Sequence, residues 1–341
     1  MFAPASGPSI SGLILANLSW HWIFWISLPF FIISLVCGLL FLPNISKVTK
    51  PKIDVFSIVL STLGFGGIVY GFSSAGGHGE GSGGWSSPVV IISLVVGIVS
   101  LLIFSVRQLR MKQPMMDLRV FKYPMFTLGL VLIFICMMMM LSSMLILPMY
   151  LQQGMAVTAL TAGLVLLPGS LLNGLLSPVM GRLFDKFGPK WLVTIGLLIV
   201  AIVLYLYTGI EATTPLGTII TMHLFMMVGI SMIMMPAQTN GLNQLPPEYY
   251  PHGTAIMNTL QQVSGAIGTA VAVSILAASQ LSFLQDVSNP ESPVNKLNSF
   301  TYGVQNAFIF ALVLCIIGFV VSFFVKRVEV GTKQAGQGSM H

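Results

Sequence analysis

Apolar residues run through this chain in long blocks separated by short polar stretches. A helix needs about 20 apolar residues to cross the hydrocarbon core. Blocks of that kind lie at 23–42, 55–75, 89–106, 125–150, 156–180, 191–208, 216–235, 255–278 and 305–325, with a shorter one at 2–16. The pattern predicts ten helices, nine of full length. Lipid offers no partner to a free N–H or C=O, so helix is the form these blocks must take. A β-barrel would show alternating strands, and 133–147 does not alternate. Between the helices the pattern predicts a flexible Gly/Ser loop at 76–87 and a longer loop at 279–304, which carries Pro290 and Pro293.

Composition narrows the class further. Of 341 residues, 55% are hydrophobic and 7% charged, and mean hydropathy is +0.91. A soluble domain carries roughly a quarter charged residues, so a soluble fold is excluded. Disorder is excluded by the same hydrophobicity. The net charge of +6 would suggest nucleic acid only if the bases formed one patch. They fall instead in short loops between apolar blocks. With the first segment running outward, 14 of the 15 bases face one side and Lys296 alone faces the other. The positive-inside rule makes the crowded side cytoplasmic. An alternative with one helix more or fewer would destroy that asymmetry. Cys37, Cys136 and Cys315 all lie in apolar blocks and predict neither a disulfide framework nor a metal site. No cofactor is expected, since no phosphate-cradling loop and no nucleophile with a base appear, and no enzyme is read here.

Polar residues inside the apolar blocks are few enough to consider singly. His223 is the one ionisable side chain well inside a span; it could titrate or bind substrate, or sit neutral against a backbone carbonyl. Asn173, between Pro168 and Pro178, could line a cavity at a broken helix or could simply join two helices. Asn258, Gln261 and Gln262 precede Gly265 and Gly268, and such amides face protein or a water-filled cavity rather than lipid. Hydrogen bonding between helices, without a ligand, would satisfy them equally. Methionine runs at 137–140 and 226–235 read as adaptable apolar filler rather than a metal site.

Three motifs carry a family likeness. Gly7, Pro8 and Gly12 stand before Trp20-His21-Trp22-Ile23-Phe24 and Pro29. This cluster resembles the antiporter motif of the major facilitator superfamily, departing from it at Ser11 and His21. The run 181–190, with Gly181, Arg182, Asp185 and Gly188, reads as a ten-residue cytoplasmic loop in which Arg182 and Asp185 can exchange charge-assisted hydrogen bonds. It is similar to the family's latch loop in its C-terminal copy. The stretch from His252 through Thr269 resembles the penultimate helix of the 14-helix drug:proton antiporters.

The resemblance implies an all-α polytopic membrane protein with the major facilitator fold, in a bacterial plasma membrane. It divides the chain into 1–43 (the last two helices of an N-terminal bundle, the first incomplete), an inserted pair at 54–106, a six-helix bundle at 125–326 and a disordered cytoplasmic tail at 327–341. It implies efflux of a lipophilic small molecule in exchange for protons, and an expectation that this stretch alone, lacking the preceding helices, is inactive. A permease for a narrow polar metabolite is the alternative within transport; a non-transporting membrane scaffold is the alternative outside it.

Overall fold

The computed structural model describes residues 10–14, 18–41, 54–76, 84–111 and 114–328. Nine helices among them are long and apolar enough to cross a membrane. They are α1 (His21–Phe41), α2 (Val55–Gly76), α3 (Pro88–Arg110), α4 (Pro124–Met149), α5 (Ala159–Phe187), α6 (Pro189–Tyr207), α7 (Leu216–Asn243), α8 (Tyr250–Asp286) and α9 (Pro293–Ser322). Proline opens α3, α4, α6, α8 and α9, where its missing N–H costs nothing and its fixed φ suits the first turn. The first apolar block is described only at 10–14, so Gly7 and Pro8 lie outside the described residues, as do 77–83 of the Gly/Ser loop and 329–341 of the tail.

Helices α4 to α9 pack as one bundle. α4 is apolar all round and sits at its centre, against α7, α8 and α9. α5 and α6 both pack on α7, and α6 also meets α9. The core is filled by Phe126, Tyr150, Tyr207 and Phe308, with the Tyr207 and Phe308 rings stacked 4.6 Å apart. Polar side chains tie the helix ends. Gln244, just past α7, accepts hydrogen bonds from the Met125 and Phe126 N–H groups at 2.6 and 3.2 Å, capping α4. At the other face Tyr150 and Gln305 donate to the carbonyls of Glu211 and Ile210.

α2 and α3 form a hairpin that docks on α8 through α2. Its cytoplasmic end is fastened by a polar clasp. Asp54 caps α2, accepting from the Ser57 hydroxyl at 2.6 Å, and holds Arg107 in a two-point ion pair at 2.9 and 3.1 Å. Gln108 donates to Ser57 at 2.8 Å and accepts from the Met116 N–H at 3.1 Å, which joins the hairpin to the linker leading into α4. None of the α1 residues is buried.

Two expected loops are mostly helix. The stretch 279–304 contributes to α8 up to Asp286 and to α9 from Pro293, leaving only 287–292 between them. The ten-residue loop at 181–190 is likewise replaced: α5 continues to Phe187, and Gly188 alone turns the chain before Pro189 opens α6. Gly188 has φ +77°, a left-handed conformation that glycine adopts without strain. In both places polar residues continue the helix past the hydrocarbon, where hydropathy no longer marks it.

Candidate functional site in the membrane

The polar residues singled out within the spans separate into two groups. The first lies on the seam between α5 and α7. His223 is buried, at 4% exposure, as the eighth residue of α7, about 10 Å along it at 1.5 Å per residue. It faces Gly169: a Cβ added there would come within 2.6 Å of His223 Cδ2. One turn further along both helices, Asn173 Nδ2 donates to the Met227 carbonyl at 2.9 Å. Asn173 is about 21 Å along α5, at the middle of the helix. This bond answers one alternative: Asn173 does join two helices.

His223 is different. Neither ring nitrogen makes a hydrogen bond among the described residues, although the Leu166 backbone carbonyl lies close to the ring. Buried polar groups almost always find partners, so an unpartnered imidazole here stands out. No ring of carboxylates surrounds it, and no group of three or more His, Cys, Asp or Glu suited to a metal exists among the described residues.

The second group is on α8. The structure separates its three amides. Asn258 and Gln262 are exposed one turn apart, whereas Gln261 is partly buried, with Nε2 unpartnered. Gly265 and Gly268 pack onto Leu141 and Met138 of α4. Among the described residues no hydrogen bond links these amides to the α5–α7 seam.

The residues expected to serve conformational change occupy two places. Gly12 lies against the start of α5, where a Cβ would meet the Ala159 carbonyl oxygen at 2.7 Å. Gly181, Arg182, Asp185 and Gly188 line the cytoplasmic end of α5. Among the described residues Arg182 and Asp185 form no ion pair; three residues apart on a continuous helix, they make no contact short enough. Asp185 instead receives Arg327, whose Nη2 donates to its backbone carbonyl at 2.9 Å. The chain after α9 is therefore held, not loose, at Arg327 and Val328. Asn240 of α7 donates to the Lys326 carbonyl and accepts from the Val328 N–H, each at 3.0 Å. Neither Gly169 nor Asn240 stood out in the sequence, although Pro168-Gly169 and Asn240-Gly241 are polar or flexible pairs within helices.

Residues 1–269 match the sequence profile of the Major Facilitator Superfamily. The lincomycin resistance protein LmrB of Bacillus subtilis is 63% identical over 97% of this chain and 68% of its own length. The multidrug export protein EmrB of Escherichia coli K12 is 28% identical over 80% of this chain and 53% of its own length. The crystal structure of a bacterial homolog of the human lysosomal transporter Spinster, inward-facing and occupied, superposes with a TM-score of 0.53 at 16% identity, covering 77% of this chain and 66% of that one, which shows a shared fold. With its bundle of membrane-length helices, the chain belongs to the major facilitator superfamily, as a multi-pass transporter of the multidrug-efflux type in a bacterial plasma membrane.

Proposed function

We propose that this transporter exports lipophilic small-molecule drugs, and lincomycin beside them, in exchange for protons, with the α5–α7 seam lining the path. The observation that carries the reading is the enclosed imidazole of His223, unpartnered against Gly169 and one turn from Asn173. A ring in that condition has an incomplete set of hydrogen bonds, which a substrate group can complete, and a nitrogen that can take up a proton in a state of the cycle that admits water to it. Asn173 and, on α8, Asn258, Gln261 and Gln262 supply further hydrogen-bonding groups among apolar walls suited to a lipophilic ligand. Gly7, Pro8 and Gly12, with Gly181, Arg182, Asp185 and Gly188, serve the change of conformation rather than ligand affinity. The units 54–106 and 125–326 move together, joined by the linker that Gln108 holds. The substrate crosses without covalent change.

Expression of the gene with its native flanking sequence, in a lincomycin-susceptible bacterium, tests this. The inhibitory concentration of lincomycin should rise at least about fourfold, roughly 0.8 kcal/mol of effective exclusion, and a protonophore should abolish the rise. Export that ignores a protonophore would remove the proton coupling. Normal export by His223→Ala would remove the seam from the path.

A further inference from the structure

We infer that the cytoplasmic end of the α2–α3 hairpin holds an anionic phospholipid, its headgroup on Arg110 and Arg107 and an acyl chain along α3. A groove of about 510 Å³ opens there, lined by Phe56, Leu102, Ile103, Val106, Arg107 and Arg110. Its apolar walls are exposed side chains of spanning helices, so lipid is what fills it. Leu102, Ile103, Val106 and Arg110 recur at helical spacing and form one stripe, apolar along its length and basic at its cytoplasmic end.

The charges at that end are unevenly used. Asp54 is committed to Arg107 through Nε and Nη2, which leaves Nη1 of the same guanidinium, seated 5.2 Å over the Phe56 ring, as the spare donor. Arg110 is exposed and makes no ion pair or hydrogen bond among the described residues. Asp117, the next acid along the chain, is engaged with Arg119. Among the described residues, one positive charge therefore remains over at the rim of an apolar groove. A phosphodiester matches the planar fork of a guanidinium, and the cytoplasmic leaflet supplies anionic headgroups at this depth. A soluble phosphate ester shares the headgroup chemistry but would leave the groove unfilled.

Native mass spectrometry of the 341-residue chain, released from detergent with added lipid, tests the site. Phosphatidylglycerol should be retained about fivefold or more over phosphatidylcholine of the same chains, and glycerol phosphate should not compete. Arg110→Gln should erase the preference, Arg110→Lys should keep most of it, and Arg119→Gln, at a base already paired, should leave it unchanged. Equal retention of the two lipids by the unmodified chain would overturn the proposal without reference to any variant. So would a preference that survives Arg110→Gln, and effective competition by glycerol phosphate would show a soluble-anion site instead.

Discussion

The imidazole of His223 occupies the space that a side chain at Gly169 would need, 2.6 Å from a Cβ built there. The two helices approach closely at this point because one of them has no side chain to offer. The polar ring is thereby enclosed without a hydrogen bond to either of its nitrogens.

Gly169→Ala should therefore act through His223. The added methyl forces the ring or the helix to move, at a cost of about 1–3 kcal/mol for overpacking. The thermal midpoint of the purified protein should fall, and drug export should fall with it. His223→Ala on the same chain opens the space, so the double variant should be more stable than the sum of the single effects requires. Strict additivity would show that the two residues do not meet.

Much of this was readable in the sequence, and what escaped has a common cause. The apolar blocks located every full-length helix because lipid imposes one requirement along the whole span. They misjudged helix ends: Gln280, Gln285 and Asp286 continue α8, and Asn295 and Lys296 begin α9, where water makes polarity harmless. His223 and Asn173 were visible as polar residues in apolar surroundings. Their common seam was not, since α5 and α7 are separated in sequence by α6 and their pairing is decided by packing. Asp54 and Arg107 lie 53 residues apart, and no local pattern pairs them.

The clasp that joins them has a defined pH dependence. The Arg107 guanidinium, with the Ser57 hydroxyl after it, lowers the Asp54 carboxyl from 3.8 to about 2. A depressed carboxyl stabilises the fold above its unfolded value, and that contribution is lost as pH falls from there through the folded value. Protection from hydrogen exchange in the first turns of α2, relative to the intrinsic rate, should thus be independent of this group from pH 5 to 8, and should weaken only below about pH 4. Asp54→Asn should weaken it throughout pH 5 to 8. A transition near pH 6 that disappears in Asp54→Asn would contradict the ion pair.

Asn240 holds the chain after α9 by both ends of its amide. Asn240→Ala removes both bonds at a cost of about 1–2 kcal/mol, and should open the segment around Lys326 and Arg327 to trypsin added to inside-out vesicles. Asn240→Asp keeps the acceptor for the Val328 N–H and loses the donor, so its cleavage should be intermediate. Cleavage as slow as in the unmodified protein would show that the segment is held elsewhere.

Ala156 offers a test that should improve the protein. It sits between the π-helical turn Tyr150–Gly154 and the start of α5, with φ +53°, and is the non-glycine residue in the left-handed region among the described residues. Its neighbours hold it there: the Met155 N–H donates to the Tyr150 carbonyl at 3.0 Å and the Val157 N–H to the Leu151 carbonyl at 3.1 Å. An L-residue in this conformation is penalised by about 1–2 kcal/mol, because Cβ crowds the following carbonyl oxygen. Glycine avoids that crowding but loses about 0.5–1 kcal/mol through its greater freedom when unfolded. Ala156→Gly should therefore stabilise the chain by up to about 1.5 kcal/mol, seen as a higher thermal midpoint in detergent. Ala156→Val, whose branched side chain tolerates the left-handed region least, should lower the midpoint. If the valine variant melts with the parent and the glycine variant melts below it, Ala156 does not hold this conformation in the membrane protein.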